Sequence, residues 1–236
     1  MVDNAKKIEL ADYSGDPFAL ILFGSGGHGK TLIELIKAEK KYHLVGIIDD
    51  NPNVGAECHG IPVLGDSSVL SVCREHGIHQ VVNGVGGIGN VDLRIRIFDM
   101  LASHGFDFPT VIHPTAWVEE SAHIDDGVHI LAHTYVGTDV EVGFGNVLNV
   151  GVCLSHDVKT GRIDNFSPGA MLAGEAFVGD YTQVGMNATI NGRVKVGSHV
   201  RIGNGATVKQ DVKDYARVYA GAISPRVNFW KYLFRN

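Results

Sequence analysis

The chain has 236 residues, 44% of them hydrophobic and 19% charged, a composition typical of a folded protein with one large or two small domains. Its formal net charge of -6 supplies no basic field for a phosphate backbone, so we do not expect nucleic acid as a partner. Three cysteines without a C-x-x-C spacing argue against a disulfide framework or a zinc site, and no apolar run is long enough for stable membrane insertion. We therefore expect a cytoplasmic protein.

Residues 1–113 alternate between short apolar runs and segments of helical spacing. An apolar run from Phe18 to Phe23 leads into a glycine-rich turn, and Leu32, Leu35 and Ile36 then repeat at helical spacing. Alternating strands and helices predict a Rossmann-like parallel α/β domain. Further strands are predicted at 44–48, 61–64, 80–83 and 110–112, and further helices at 67–76 and 91–104.

The turn, in the run GSGGHGK, satisfies two phosphate-binding patterns. Gly24, Gly26 and Gly29 fit the dinucleotide pattern G-x-G-x-x-G, whereas Gly24, Gly29, Lys30 and Thr31 fit the P-loop pattern. A P-loop NTPase needs a larger domain with its own magnesium-binding strand, and a dinucleotide enzyme needs a hydride-transfer site that the rest of the sequence lacks. We therefore predict that the turn binds the diphosphate of a nucleotide without hydrolysing it. A turn that only lets helix and strand pack closely is the alternative.

An acidic pair follows the second strand, about 20 to 25 residues after the glycines, where dinucleotide-binding folds hold a ribose hydroxyl. Asp49 or Asp50 is therefore expected to bind the sugar or the base of the nucleotide. The loop residues predicted to bind the same ligand are Gly24, Ser25, Gly26 and Gly27.

From Val118 onward one residue class recurs every six positions without a break, and Thr160 is its single polar member. A hexapeptide repeat predicts a parallel β-helix, in which short strands stack coil on coil and bury one residue per hexad. We assign it residues 114–214, although the period alone does not give the hand of the coil. The repeating positions are Val118, Ile124, Ile130, Val136, Val142, Leu148, Leu154, Thr160, Phe166, Leu172, Val178, Val184, Ile190, Val196, Ile202 and Val208.

The run VGDYTQVGMNATINGRVKVGSHVRIGNGATV resembles the left-handed β-helix of hexapeptide acyltransferases. With GSGGHGK, GIIDDNP and GIPVLG before it, and SHD in the repeat domain, essentially the whole chain is similar to the sialic acid O-acetyltransferase-like, bacterial nucleotide-sugar N-acetyltransferase family. The resemblance implies a left-handed coil of three hexads, a homotrimer, and acetyl-CoA in the groove between neighbouring prisms. It also implies that His28 lies near a nucleotide-linked sugar, although a helix-capping histidine is an equal explanation.

His156 and Asp157 form the candidate catalytic pair. Histidine titrates near neutrality and suits removal of a proton from an attacking amine, and His156 lies two positions after the axial Leu154, outside the buried row. The adjacent Asp157 can hold the imidazole in one tautomer. The resemblance implies that the pair is the general base and its partner, and that Asn149 lies near it; a tight turn is the alternative role for Asn149.

The resemblance also implies contacts with acetyl-CoA. Asn165 stands where the family often carries a second histidine, and Gly174 would present its N–H to the thioester carbonyl, unless it only forms a tight corner. Gly203 and Arg226 complete the set, with Arg226 near a CoA phosphate. Residues 215–236 are expected to close the CoA groove, with their aromatic end packed against the trimer rather than a membrane.

His123, His129 and His133 raise the alternative of a zinc site between subunits, as in gamma carbonic anhydrases, but they do not reproduce that ligand layout, and we predict no metal. The sequence thus predicts transfer of the acetyl group of acetyl-CoA to the amine of a nucleotide-linked amino sugar. We expect a 4-amino-4,6-dideoxyhexose for a surface polysaccharide or glycoprotein. The rivals are an O-acetyltransferase acting on a free sugar such as sialic acid, and a non-catalytic trimeric scaffold.

Overall fold

The computed structural model describes residue 13, residues 15–89 and residues 91–221. It consists of an α/β domain followed by a left-handed parallel β-helix, as the sequence predicts. Arg226 and most of the segment expected to close the CoA groove lie outside the described residues.

Five strands and three α-helices form the described part of the α/β domain. The strands are β1 (Ala19–Phe23), β2 (His43–Ile48), β3 (Glu57–Cys58), β4 (Ile61–Gly65) and β5 (Gln80–Asn83). The helices are α1 (Gly27–Glu39), α2 (Leu70–Glu75, directly after a 3-10 turn at Ser67–Val69) and α3 (Val91–Ser103). The strand order is β3-β4-β2-β1-β5. None of these described helices has the length and apolar character needed to cross a bilayer.

β1 is buried on both faces, which explains its uninterrupted apolar sequence. Leu20 and Leu22 pack on the side of α1, with Leu32 and Ile36, while Ile21 packs on the side of α2 and α3. Parallel strands that are covered by helices on both sides have continuous apolar sequences. This packing directs the carboxyl end of β1, and the glycine turn after it, to the sheet edge where α/β proteins bind ligands.

Two details of this domain differ from the prediction. The sheet is not wholly parallel, because β3 pairs antiparallel with β4, and a two-residue strand is too short to show a period. The assignment of residues 110–112 to this sheet is wrong: Val111–Ile112 pairs with His129–Ile130 and forms the first rung of the β-helix. A short apolar run does not reveal which sheet it will join, since that depends on pairing with distant residues.

The β-helix is a triangular prism whose three faces are parallel sheets of two-residue strands. The domain face, which packs against the α/β domain, contains Val111–Ile112, His129–Ile130, Val147–Leu148, Asn165–Phe166, Gln183–Val184, Arg201–Ile202 and Arg217–Val218. The apolar face contains Trp117–Val118, Tyr135–Val136, Cys153–Leu154, Met171–Leu172, Thr189–Ile190 and Thr207–Val208. The charged face contains His123–Ile124, Glu141–Val142, Lys159–Thr160, Phe177–Val178 and Lys195–Val196.

The second residue of each strand points into the prism, and these inward residues are the hexad positions found in the sequence. Thr160 occupies one of them because its hydroxyl has partners inside the prism. Its Oγ1 accepts a hydrogen bond from Asn146 Nδ2 at 2.7 Å and another from the Gly143 N–H at 3.2 Å. The break in the apolar row is therefore a buried polar contact that secures a corner.

The first residue of each strand points outward, and the outward residues differ between the faces. The charged face carries Glu141 and Lys159, which form an ion pair at 2.7 Å. The apolar face instead presents a stripe formed by Trp117, Tyr135, Cys153 and Met171, of which Trp117 is 64% and Met171 53% exposed. A contiguous exposed stripe of this kind is typical of a surface that a partner covers.

The α/β domain is held against the domain face by polar and aromatic contacts. Gln183 Nε2 donates to the carbonyl of Gly87 at 2.8 Å, and Arg94 Nη2 donates to the carbonyl of Gly145 at 3.1 Å. Three rings that span the junction lie 4.9 to 5.6 Å apart, namely Phe98, Phe108 and Phe144. These direct contacts between the two domains fix the relative positions of the residues that line the cavities between them.

We predict that Thr160→Val destabilises the protein, although valine fits the apolar period better than threonine does. Asn146 Nδ2 would lose one of its acceptors in the interior, which costs about 1 to 2 kcal/mol of unfolding free energy. Urea unfolding measures the change. The reverse exchange at the paired position, Val178→Thr, serves as the matched control and should also destabilise, because it buries a hydroxyl with no ready partner. An unchanged or more stable Thr160→Val protein would contradict this account.

Candidate functional site

The glycine turn after β1 is shaped by close backbone packing. Gly24 has φ of 96°, a left-handed conformation that favours glycine. A Cβ on Gly29 would overlap the carbonyl oxygen of Gly24, and a Cβ on Gly84, at the end of β5, would lie 2.5 Å from the same oxygen. The packing alternative from the sequence thus accounts for these three glycines.

Packing does not account for Gly26 and Gly27, where a Cβ would meet nothing within 4 Å. Gly26 is the N-cap of α1 and supplies no side-chain cap, and no acidic residue lies in the first turn. The first N–H groups of an α-helix have no intrahelical acceptor, and the helix dipole favours negative charge there. The start of α1 therefore presents N–H groups that no described side chain covers, a geometry compatible with the predicted binding of a diphosphate.

Asp49 and Asp50, which the sequence leaves as alternatives, have different surroundings. Asp49 Oδ2 accepts a hydrogen bond from the Ser25 N–H at 2.7 Å and another from the Ser25 hydroxyl. Burial raises the pKa of Asp49, but these bonds and one from the Asn51 N–H outweigh it, so the pKa lies below its ordinary value. Asp50 turns away and accepts from the Ser67 N–H at 2.7 Å.

A cavity of about 730 Å³, the nucleotide pocket, opens above the glycine turn. It brings together every residue predicted to bind the nucleotide except Asp50, which lines a neighbouring hollow instead. Lys30 also lines the pocket and adds a cation, whereas Thr31 donates to the Gly27 carbonyl at 3.1 Å. The β3–β4 hairpin and the loop after β5 supply the opposite wall, including Glu57, Cys58 and Gly84–Gly86.

A second cavity, the middle hollow of about 310 Å³, lies between the α/β domain and the domain face. His28, Asn149 and Asn165 meet there, together with Ile88 of the loop before α3. Asn165 is buried, and its Nδ2 donates a hydrogen bond to Ser167 Oγ at 3.4 Å. The middle hollow shares Gly27, His28 and Gly86 with the nucleotide pocket, so the two cavities are contiguous.

His28 does not cap α1 but joins the two domains: its Nε2 lies 3.1 Å from Nδ1 of His129 on the domain face. Burial, with a smaller contribution from the charge of Arg94, lowers the pKa of His28 to about 3. The same two causes, burial first, and the proximity of His28 lower the pKa of His129 well below its ordinary value. Both imidazoles are therefore neutral at physiological pH.

Arg94 is fully buried beside this pair and has no carboxylate partner among the described residues. Its guanidinium donates to the carbonyls of Asn83, Val85 and Gly145, at 3.1, 2.5 and 3.1 Å. Arg94 thus ties the loop after β5, which lines the nucleotide pocket, to the β-helix. Sequence reasoning did not find Arg94 or the role of His129, because neither belongs to a local motif.

His156 and Asp157 lie at the edge between the apolar and the charged face. His156 Nδ1 is 2.8 Å from Asp157 Oδ2, and the imidazole is 63% exposed. A Cβ on Gly174, one coil further on, would overlap the imidazole, so glycine at this corner leaves room for the ring. With Nδ1–H donating to Asp157, the tautomer leaves Nε2 unprotonated and accessible.

The structure does not bring Asn149 next to His156 within one chain. Asn149 follows a strand of the domain face, whereas His156 follows a strand of the apolar face, so a whole side of the prism separates them. The predicted site residues therefore form two groups, one around the nucleotide pocket and middle hollow and one at the far edge of the apolar face.

Gly203 lies in a third cavity, a groove of about 390 Å³ on the upper part of the domain face. A Cβ on Gly203 would lie 3.2 Å from the Ala220 nitrogen and the Val218 oxygen, so close packing against the next coil is a sufficient reason for glycine at this position. His123 and His133 lie on other parts of the prism from the buried His129. In the described part of the chain, no three histidine, cysteine or acidic side chains are grouped to hold a metal ion.

Comparison with known proteins gives matches for both domains. Residues 19–101 match the family model described as the PglD N-terminal domain, and residues 175–210 match that of the bacterial transferase hexapeptide (six repeats). Perosamine N-acetyltransferase from Caulobacter crescentus, a histidine-to-asparagine mutant in complex with CoA and GDP-perosamine, has a TM-score of 0.80 and 28% identity, over 88% of this chain and 95% of that one.

Two further relatives are also acetyltransferases. The acetyltransferase domain of PglB from Neisseria gonorrhoeae, in complex with acetyl coenzyme A, has a TM-score of 0.78 and 30% identity, over 86% of this chain and 96% of that one. GDP-perosamine N-acetyltransferase from Escherichia coli is 26% identical over 155 residues, 63% of this chain and 67% of that protein.

Fold and site together define an acyltransferase of the hexapeptide-repeat class. The chain belongs to the bacterial nucleotide-sugar N-acetyltransferase family, as the resemblance implies.

We predict that the buried His129 makes the protein less stable in acid. Its folded pKa is depressed, so its contribution is complete above pH 6.5 and is lost as the pH falls, because the unfolded chain then binds a proton that the folded chain does not. Between pH 7 and 5 the free energy of unfolding should fall by about 2 kcal/mol from this residue. Urea unfolding at several pH values measures it.

The matched variants are His129→Gln, which should make the acid limb of the stability profile less steep while the depressed pKa of His28 maintains the remainder, and His123→Gln on the charged face, which should leave the limb unchanged. Equal pH dependence in the wild type and His129→Gln would show that the buried imidazole does not control acid stability.

Proposed function

We propose that the protein transfers the acetyl group of acetyl-CoA to the amine of a nucleotide-linked amino sugar, of the 4-amino-4,6-dideoxyhexose kind. The observation that carries the proposal is the contiguity of the nucleotide pocket and the middle hollow, which gives an extended ligand a path from the glycine turn to the prism. A free sugar would leave the glycine turn and Lys30 without a diphosphate to bind. The relatives bound to GDP-perosamine, CoA and acetyl coenzyme A support the same substrates.

The nucleotide pocket supplies the groups that a nucleoside diphosphate needs. The N–H groups at the start of α1, together with Lys30, hold the diphosphate, and the open sides of Gly26 and Gly27 let it approach the backbone. Asp49 positions Ser25 and with it the turn, and the remaining acceptor position on its Oδ1 receives a hydrogen bond from a ribose hydroxyl. The sugar then extends past His28 into the middle hollow, towards Asn149 and Asn165.

His156 acts as the general base. The amine nitrogen attacks the thioester carbonyl carbon while His156 Nε2 takes the amine proton, and the C–S bond then breaks as the CoA sulfur leaves and receives that proton. Asp157 holds the tautomer and stabilises the imidazolium. The Gly174 N–H, which has no hydrogen-bond partner among the described residues, lies beside the ring and donates to the oxyanion.

The active site is shared between chains of a homotrimer. Within one chain His156 and the middle hollow are a prism side apart, so a base on one chain must meet a sugar held by its neighbour. The apolar face, with its stripe from Trp117 to Met171, is the surface that the neighbour covers. His156 lies at the border of that face and is brought to the subunit boundary when the face is covered.

The setting of the enzyme follows from its substrates. We place it in the cytoplasm, where its three free thiols stay reduced, and in the biosynthesis of a surface polysaccharide or glycoprotein.

The deciding experiment incubates the enzyme and acetyl-CoA with UDP-, GDP- and dTDP-linked 4-amino-4,6-dideoxyhexoses and with free sialic acid, and follows acetylation by mass spectrometry. Acetylation of sialic acid alone would support the O-acetyltransferase, and no acetylation of any acceptor would support the scaffold.

We predict that His156→Ala lowers kcat by roughly 100-fold to 10,000-fold, because the base is removed, while the KM for the nucleotide sugar changes little. Steady-state kinetics with the preferred sugar measures both. Wild-type kcat in His156→Ala would rule out this base.

Gly174→Ala provides a matched test, because its methyl group would displace the imidazole. It should lower kcat in the wild-type background and have little further effect in His156→Ala, so the double-mutant cycle reports coupling between the two residues. Additive losses would mean that Gly174 acts independently of the ring.

We further predict that two inactive variants restore activity when co-expressed. Gly27→Glu places a carboxylate where the diphosphate binds, and its side chain enters open space, so the fold tolerates it. Mixed with His156→Ala in equal amounts, roughly a quarter of the shared sites would combine an intact pocket with an intact base from the neighbour. Mixtures that remain inactive, although mixed trimers form, would show that each site lies within one chain.

A further inference from the structure

A second glycine-rich segment, GVGGIG at residues 84–89, follows β5 and forms the β5 loop. Residues 84–86 of this loop line the nucleotide pocket, and residues 86–88 line the middle hollow. A Cβ on Gly86 would lie 3.5 Å from His28 Cβ, and one on Gly87 would lie 3.4 Å from Asn165 Cβ, which are ordinary contacts. Neither glycine has a positive φ. Packing and backbone conformation therefore do not account for glycine at these two positions.

The carbonyl groups of the β5 loop are held on the side of the loop that faces α3 and the prism. Arg94 Nη1 donates to the Val85 carbonyl at 2.5 Å, and Gln183 Nε2 donates to the Gly87 carbonyl at 2.8 Å. In a trans peptide the C=O and the following N–H point in opposite directions. The N–H of Gly86 is therefore directed away from Arg94, and the N–H of Ile88 is directed away from Gln183.

These two N–H groups have no acceptor among the described residues, whereas the neighbouring N–H groups of Val85 and Gly89 bond the side chains of Asn83 and Gln183. The direction left for them is the cavity that their residues line. A backbone N–H without an acceptor in the protein needs one from solvent or from a ligand. The β5 loop thus offers two donors, on alternate residues, where the nucleotide pocket meets the middle hollow.

A buried positive charge lies behind the β5 loop. Arg94 is 1% exposed, forms no ion pair among the described residues, and its Nε is buried without a hydrogen-bond partner. Burial lowers the pKa of Arg94 to about 9, so the guanidinium remains charged at neutral pH. A buried charge is costly unless an opposite charge compensates it. An anion bound to the N–H groups of the loop would supply the missing counter-charge.

We propose that the β5 loop is a second anion-binding element of the site and binds the phosphate next to the sugar, while the start of α1 binds the other phosphate. Gly86 lines both cavities, at the point where the group that joins the nucleotide to the sugar must pass. Successive backbone N–H groups in a concave loop form a recurrent phosphate site. Arg94 and Gln183 are positioning residues, because they orient the peptides that donate. This inference rests on the proposed function, since it takes a nucleotide-linked sugar as the ligand.

The test measures binding by calorimetry, with UDP, GDP and dTDP and their monophosphates as probes. The wild-type protein should bind its preferred diphosphate roughly 10-fold to 100-fold more tightly than the monophosphate, because the second phosphate accepts from the β5 loop. Gly86→Pro removes the N–H and should abolish that preference. The conservative variant Gly86→Ala retains the N–H and should retain the preference, whatever its methyl group does to the two affinities. Circular dichroism melts establish that each variant is folded.

Two further measurements do not depend on the folding of the proline variant. Gln183→Ala frees the Gly87 carbonyl and should reduce the preference for the diphosphate by roughly 3-fold to 10-fold. In the wild-type protein, the ¹H–¹⁵N NMR signals of the Gly86 and Ile88 amides should move when the diphosphate is added and stay in place with the monophosphate.

The outcomes separate the β5 loop from the proposed function. A wild-type protein that binds none of the nucleotides would overturn both. Equal wild-type affinity for the diphosphate and the monophosphate, or amide signals that do not move with the diphosphate, would overturn the role of the loop alone. Gly86→Pro that weakens both nucleotides by the same factor would show that the loop only supports the pocket, and the assignment of a phosphate to it would be wrong.

Discussion

The inward residue of each hexad is the constraint on which the rest of the structure depends. Because one apolar side chain per strand fills the prism, the preceding residue must point outward, and residues one coil apart stack at about the spacing of strands in a sheet. The domain face thereby becomes a column of outward side chains from His129 through Asn165 to Arg217. Its lower part contacts the α/β domain, and the described residues form a groove along its upper part, so the cavities lie along a single line.

The junction between the domains depends on Arg94, a buried cation without a carboxylate partner among the described residues. Arg94 loses its solvation and donates to three carbonyls instead, one at the end of β5, one on the loop after β5 that lines the nucleotide pocket, and one on the prism. Its charge also favours neutral imidazoles at His28 and His129, which touch across the junction. The pocket that receives the nucleotide is thus held in place by the same contacts that dock the two domains.

The glycine turn and the prism divide the chemistry between them. In the turn, Gly24, Gly29 and Gly84 are required by backbone packing, while Gly26 and Gly27 leave the start of α1 open to an anion. At the prism edge, Gly174 provides space for the His156 ring, and Asp157, in a left-handed corner with φ of 58°, orients it. Neither the residues of the glycine turn nor those at the prism edge complete a site by themselves, so the proposed active site also requires the apolar face and a neighbouring chain.

The sequence by itself determined the fold and the local motifs, because a six-residue period, a glycine turn between strand and helix, and a histidine beside an aspartate are all short-range patterns. It also singled out Thr160 but not the buried Asn146 that explains it. Tertiary structure alone decided that Val111–Ile112 joins the prism, that Asp49 rather than Asp50 faces the nucleotide pocket, and that Arg94, His28 and His129 meet. It also separated Asn149 from His156 by a side of the prism. The physical reason is that these outcomes depend on contacts between residues tens of positions apart, which a local period cannot encode.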